Sequence, residues 1–131
     1  VYRRLPEMNG VVHAHPPFGT AFAIKGEVLD KMMMPESVIA MGEIPLAKYG
    51  TPSTEEIPDS IEPFLGNKQA VLLESHGALT WGKDVMAAYL NMERLEYTAK
   101  LTFITRMLNG ERELPKNRIE ELVNLRSFYG M

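Results

Sequence analysis

The sequence predicts an α/β fold whose sheet is mixed or antiparallel. Segments with strand character alternate along the chain with segments of helical spacing, which is typical of layered α/β proteins. The strands expected on either side of residue 76 are joined by too few residues for a helical crossover, so we expect them to pair antiparallel. A length of 131 residues fits one domain with a substantial hydrophobic core.

In the first half of the chain we expect three strands and one helix. The first strand, about residues 10–15, follows the turn signal Asn9-Gly10 and ends at Pro16-Pro17. Proline suits the first turn of a helix, so the helix is expected from Phe18 to Lys25, with Gly26 as its stop. The two further short apolar runs with strand character are Val38–Met41 and Ile44–Ala47.

The second half is expected to begin with a helix that has its own cap. Ser53 and Glu56 have the spacing of a capping box, and Gly66-Asn67 would close the helix. Its apolar residues recur every four positions, as one buried stripe: Ile57, Ile61 and Leu65. The remaining elements are two strands, at about 69–75 and 78–81, and two helices, at about 85–108 and 116–126.

The longest helix carries clear signals at both ends. Asp84 is expected to cap its start, and Asn109-Gly110 is a strong signal for its end. The apolar residues that keep helical spacing along one face are Leu90, Tyr97, Leu101, Ile104 and Leu108.

Composition and charge exclude several classes of function. The net charge of −3 offers no general electrostatic attraction for nucleic acid. No apolar stretch approaches the roughly 20 residues that a membrane helix needs. Cysteine is absent, which excludes disulfides and thiolate ligands and is compatible with a cytoplasmic location. Any bound metal must therefore be held by nitrogen and oxygen ligands.

All three histidines lie at or near the end of a predicted strand. His13 and His15 end the apolar run Val11–His15, and a strand repeats every two residues, so both rings are expected on one face. His76 follows a second apolar run, Ala70–Leu73. Three imidazoles can bind a divalent metal and leave the fourth tetrahedral position open, as catalytic sites do. Hydrogen-bonded histidines on half-buried strands remain the alternative.

The two histidine motifs resemble those of the class II aldolase/adducin family. The motifs are Val11-Val12-His13-Ala14-His15-Pro16-Pro17 and Leu72-Leu73-Glu74-Ser75-His76-Gly77, with Trp81-Gly82 just beyond. The resemblance covers nearly the whole chain. It implies a three-layer α/β/α fold with a central, mainly antiparallel sheet, and a homotetramer with active sites at subunit interfaces. It also implies that residues 1–131 are the C-terminal major part of a single domain whose upstream portion is missing.

The resemblance also implies a set of site residues. His13, His15 and His76 would bind zinc, with other divalent metals possible, and a sugar phosphate would chelate that metal through neighbouring ketone and hydroxyl oxygens. As a Lewis acid, the cation stabilises the enediolate formed when the C–C bond breaks. Tyr129, in Phe128-Tyr129-Gly130, resembles the tail tyrosine that protonates the departing aldehyde, and anchoring of the tail is the alternative role. The resemblance implies that the family's general acid/base glutamate and phosphate-binding residues would lie upstream of Val1.

The function implied is that of a zinc-dependent aldolase. It would cleave a ketose 1-phosphate similar to L-fuculose 1-phosphate into dihydroxyacetone phosphate and an aldehyde. An L-ribulose-5-phosphate 4-epimerase or a dehydratase on the same fold remains an alternative, because the second motif resembles the epimerase version equally well. A non-catalytic, adducin-like interaction module is the alternative of another class. That branch lacks the three histidines, so their presence favours an enzyme.

Overall fold

Four strands and five α-helices alternate over residues 1–129, the part of the chain that the computed structural model describes. The strands are β1 (Gly10–Ala14), β2 (Leu46–Ala47), β3 (Ala70–Leu73) and β4 (Gly77–Gly82). The helices are α1 (Pro17–Lys25), α2 (Pro35–Ala40), α3 (Glu56–Ile61), α4 (Val85–Met107) and α5 (Lys116–Asn124), and a short 3₁₀ helix, Glu62–Phe64, follows α3.

The four strands form one sheet in the order β1-β4-β3-β2. β4 pairs antiparallel with both β1 and β3, whereas β2 runs parallel to β3. Only Glu74, Ser75 and His76 connect β3 to β4, which is too short for a crossover. The prediction of a mixed, mainly antiparallel sheet is confirmed.

Each face of the sheet carries its own hydrophobic cluster. The first cluster packs α1 and α4 against the sheet, and the second packs α3 and the N-terminal turn against the opposite face. Successive residues of a strand point to opposite faces, so Leu72 of β3 belongs to the first cluster and its neighbours Val71 and Leu73 belong to the second. Trp81, fully buried, is the largest side chain of the second cluster. The layers are therefore helix, sheet and helix, as the resemblance implies.

Local signals placed the ends of α1 and α4 correctly. α1 begins at Pro17 and ends at Gly26, whose φ of 72° is the left-handed conformation that glycine adopts readily. The Asp84 side chain accepts a hydrogen bond of 2.7 Å from the Ala87 amide and so caps α4. Within residues 1–129, no helix combines the length and the hydropathy that crossing a bilayer requires.

The expected strand at Val38–Met41 is wrong, because these residues belong mainly to α2. An apolar run of four residues does not distinguish a buried strand from one side of a helix. The deciding signals precede the run. Pro35 occupies the first helical turn, where proline is tolerated, and Glu36 adds a favourable negative charge there.

The capping box expected at Ser53 is also absent from the described structure. Ser53 has a φ of 68°, and the amide of Glu56 donates instead to the Thr54 hydroxyl over 3.2 Å. The Glu56 carboxylate accepts from the Thr51 amide over 2.7 Å. The α-helix is also shorter than predicted, because it ends at Ile61 and continues only as the 3₁₀ turn.

α4 is confirmed as a helix, but the apolar residues that keep helical spacing along one face do not form its buried face. Four of the five apolar residues expected on that face are exposed, namely Leu90, Tyr97, Ile104 and Leu108. The buried face contains Met92 and Leu95 together with small side chains that let the helix approach the sheet closely: Ala88, Asn91, Thr98, Ala99 and Thr102. Helical spacing of large apolar residues therefore does not identify the face of α4 that packs on the core.

Candidate metal centre

β1 brings two of the three histidines to one face of the sheet. Val12 and Ala14 pack into the first hydrophobic cluster. Because side chains alternate along a strand, His13 lies on the opposite face, and His15, one residue beyond the strand, follows the same alternation. His13 lies opposite Leu79 of β4 in the antiparallel register.

The tight turn between β3 and β4 supplies the third histidine. Ser75 adopts a φ of 56°, a left-handed conformation that reverses the chain direction. Its amide donates a 3.0 Å hydrogen bond to the Ala23 carbonyl of α1, and the His76 amide donates to the Leu73 carbonyl over 2.9 Å. These bonds hold His76 at the end of the sheet where β1 ends.

Glu74 attaches the same turn to the segment after β2. Its amide donates a 3.0 Å hydrogen bond to the Ala47 carbonyl. Its carboxylate accepts a 2.8 Å hydrogen bond from the Tyr49 amide. Glu74 therefore braces the turn that carries His76, and the described structure gives it no contact with the other two histidines.

The three imidazoles meet in one compact group. The ring centroids are 5.0 Å apart for His13 and His15, 4.8 Å for His13 and His76, and 5.1 Å for His15 and His76. One ligand nitrogen from each ring lies within 4.8 Å of the others. His13 and His15 are exposed and His76 is half-buried, so the group opens to solvent on one side.

The surroundings of His13 and His76 suit these two rings to a divalent cation. His13 Nδ1 lies 2.9 Å from the Ala78 carbonyl oxygen. A carbonyl oxygen only accepts, so Nδ1 carries the proton and the lone pair of Nε2 is left for a ligand. His76 Nδ1 is buried without a partner. Burial lowers the pKa of His76, and the neighbouring His13 and His15 lower it further, which favours the neutral form that binds metal.

Tyr129 does not belong to the group that the three histidines form. It is exposed and packs edge-on against Phe128, at 5.4 Å between ring centroids. It lines a groove between α2, α4 and α5 that reaches Pro16 but is lined by none of the three histidines. Gly130 lies outside the described residues. The catalytic role of Tyr129 stays a prediction.

Two supporting groups of this centre were missed by the sequence analysis. The first is the Ala78 carbonyl, which orients His13 from 65 residues away. The second is the Glu74 carboxylate, which braces the turn that carries His76. Neither has a local signal, because a backbone carbonyl is present at every residue and a lone glutamate is most often a solvated side chain.

Comparison with known proteins identifies the family. The family profile described as "Class II Aldolase and Adducin N-terminal domain" matches residues 1–103. The chain belongs to the class II aldolase and adducin family. The resemblance seen in the two histidine motifs is therefore confirmed.

Named relatives within the class II aldolase family are enzymes of two kinds. A 3-oxo-tetronate 4-phosphate decarboxylase from Escherichia coli O6:H1 is 35% identical over 132 residues, covering 97% of this chain and 60% of the relative. An L-fuculose phosphate aldolase from Methanococcus maripaludis is 30% identical over 104 residues, covering 79% of this chain and 56% of the relative.

The solved structure of YgbL from Escherichia coli shows the same class II aldolase fold. It superposes with a TM-score of 0.81 and 34% sequence identity, covering 93% of this chain and 60% of YgbL. The chain thus spans about 60% of the length of this decarboxylase and of YgbL.

Proposed function

We propose that His13, His15 and His76 bind a divalent cation, with zinc as the first candidate. The observation that carries the proposal is the meeting of three imidazole nitrogens within 4.8 Å at the open end of the sheet. Nitrogen ligands in a set of three, with a fourth position free, match the catalytic form of a zinc site. The Ala78 carbonyl that fixes the His13 tautomer matches the outer hydrogen bond that metal-bound histidines usually make.

The proposed activity is cleavage of a carbon–carbon bond beside a carbonyl group in a phosphorylated sugar or sugar acid. The names of the relatives support this class, because decarboxylation of a 3-oxo acid and aldol cleavage both leave negative charge next to a carbonyl carbon. When bound, a divalent cation supplies a Lewis acid that stabilises this charge. The chain supplies the three imidazoles, and the turn braced by Glu74 holds His76 at its place among them.

The first candidate substrate is a phosphorylated 3-oxo sugar acid, which would lose carbon dioxide. It is favoured because the decarboxylase relative matches 97% of this chain at 35% identity. The second candidate is the ketose 1-phosphate predicted from the sequence, which would release dihydroxyacetone phosphate. A separate observation favours it: an aldolase relative matches 79% of the chain at 30% identity. Tyr129 is the proposed proton donor in either reaction.

One assay of the full-length protein separates these activities. The purified protein is analysed for bound metal and then given 3-oxo-tetronate 4-phosphate, L-fuculose 1-phosphate or L-ribulose 5-phosphate. Release of carbon dioxide identifies a decarboxylase, and release of dihydroxyacetone phosphate identifies an aldolase. Isomerisation of the substrate with neither product released identifies an epimerase. Turnover should stop on chelation and in His13→Ala. Turnover that survives both treatments would contradict the proposed metal role.

A non-catalytic, adducin-like role makes the opposite prediction. His13→Ala would then leave the biological role of the protein intact, because partner binding would not need the imidazole. Lys31→Ala is the matched control, because Lys31 is exposed and lies outside the histidine cluster. It should behave as wild type under either hypothesis.

The proposed assembly is a homotetramer, and the proposed location is the cytoplasm. Exposed apolar side chains along α4 support contact between subunits: Tyr97, Phe103, Ile104 and Leu108. Light scattering of the full-length protein after size-exclusion chromatography measures the mass directly. A monomer at micromolar concentration would overturn the tetramer.

A further inference from the structure

α1 begins directly after the motif that carries His13 and His15, yet it has no cap of its own. Pro16 stands at the N-cap position and Pro17 in the first turn, and neither side chain can accept a hydrogen bond. The first turn also contains no acidic residue. The free amides at the start of this helix therefore need an acceptor from elsewhere in the fold.

Glu96 of α4 provides that acceptor. Its Oε1 accepts a 3.0 Å hydrogen bond from the Phe18 amide, and its Oε2 accepts a 2.8 Å hydrogen bond from the Gly19 amide. Both bonds are charge-assisted, and a negative charge at a helix N-terminus is favoured by the helix dipole. Because the two oxygens hold two successive amides, the carboxylate fixes both the position and the orientation of the first turn.

Close packing between the two helices brings the carboxylate within reach. A β-carbon at Gly19 would lie 2.7 Å from Leu95 Cδ2, so only glycine permits α1 to lie this near α4. Leu95 itself is fully buried in the first hydrophobic cluster. The packing of Leu95 thus places its neighbour Glu96 at the start of α1.

We propose that Glu96 is a positioning residue for the metal ligand His15, an inference that rests on the proposed metal site. The strand register ends at Ala14, so no strand pairing holds His15 in place. Pro16 and Pro17 connect His15 to α1, and their locked φ angles make this link stiff. The place where α1 begins therefore sets the place of His15. His13 is held independently by the Ala78 carbonyl.

The test compares Glu96→Gln with Glu93→Gln in the full-length protein. Glu93 lies on the same helix, is exposed, and accepts a hydrogen bond only from the Tyr89 hydroxyl among the described contacts. A glutamine at residue 96 can accept at one atom only, and its NH₂ group opposes the other amide. We expect Zn²⁺ affinity to fall about 10-fold in Glu96→Gln, the lower end of the effect of removing a direct hydrogen-bond partner of a ligand, and to be unchanged in Glu93→Gln.

Two spectroscopic readouts separate positioning from general destabilisation. The absorption of bound Co²⁺ should change in Glu96→Gln, because the geometry of the ligand set changes. In the metal-free protein, the imidazole NMR signals of His15 should shift while those of His13 stay in place. Unfolding curves confirm that both variants are folded. If Glu96→Gln does not fold, Glu96→Asp keeps the charge but shortens the side chain, and the same comparison is made with it.

The outcomes are distinct. Weaker Zn²⁺ binding with shifted His15 signals supports the proposal. Equal affinity in the folded Glu96 and Glu93 variants overturns it and leaves the metal site standing. If the wild-type protein binds neither Zn²⁺ nor Co²⁺, the proposed function fails, and unchanged His15 signals in Glu96→Gln would then overturn the positioning role separately.

Discussion

The α-carbon of Gly77 lies against the imidazole ring of His15. A β-carbon at residue 77 would lie 2.6 Å from His15 Cδ2 and 2.6 Å from the Ala14 carbonyl oxygen. Real β-carbons do not approach other atoms this closely, so β1 and β4 can meet here only because residue 77 has no side chain. The absence of one methyl group thus makes room for His15 in the cluster.

Gly77→Ala is therefore expected to displace His15 and to weaken metal binding at least 10-fold, in the range found for outer-shell changes. Isothermal titration with Zn²⁺ measures the loss. Gly66→Ala is the matched control: residue 66 has a φ of 90° and no atom within 4 Å of the added carbon. That variant should lose stability through backbone strain and keep its metal affinity. Equal affinities in the two variants would contradict the steric argument.

Zinc is expected to stabilise the folded protein. A ligand that binds only the folded state adds about 2.7 kcal/mol at a free concentration 100 times its dissociation constant. The unfolding temperature of the full-length protein should therefore rise when zinc is added and return to its original value on chelation. His76→Ala removes one of the three ligands, so its unfolding temperature should respond far less. If zinc raised the unfolding temperatures of wild type and His76→Ala equally, the metal would bind at a site that does not include His76.

An ion pair between Glu27, which follows the end of α1, and Arg106 of α4 should contribute to stability in a pH-dependent way. Hydrogen bonds from Arg106 and then Lys25 lower the pKa of Glu27 from 4.5 to about 2. A lowered folded-state pKa means that the contribution is complete above about pH 4.5, declines as the pH falls, and is lost below about pH 2. Glu27→Gln should cost about 1 kcal/mol at neutral pH. Urea unfolding at several pH values measures this difference. The free energies of unfolding of Glu27→Gln and wild type should become equal as the pH falls.

The role of Tyr129 can be decided by one substitution. Tyr129→Phe removes the hydroxyl and keeps the ring that packs on Phe128. A proton donor at this residue would make kcat fall, by about 100-fold for a general acid, with metal affinity and stability unchanged. An anchor for the tail would leave kcat unchanged, because the aromatic contact survives. Phe128→Leu, which removes the contact and keeps Tyr129, is the complementary control.

Local chemistry explains why several elements were predictable. β1, α1 and α4 are marked by turn residues, prolines and a capping aspartate, and each signal acts within a few residues of itself. The strand predicted at Val38–Met41 is wrong, because a short apolar run is compatible with a buried strand and with one side of a helix. The spacing of large apolar residues does not identify the buried face of α4, because small side chains such as Ala88 and Ala99 form part of that face.

The sequence by itself determined which residues can carry the chemistry. Three histidines in two motifs, without any cysteine, define a nitrogen ligand set and indicate the family that the comparison confirms. Only the tertiary structure decided how those residues are held. The Ala78 carbonyl lies 65 residues from His13, and Glu96 lies 77 residues from the Gly19 amide that it caps. Contacts across such separations depend on how helices and strands pack, and no local pattern in the chain encodes them.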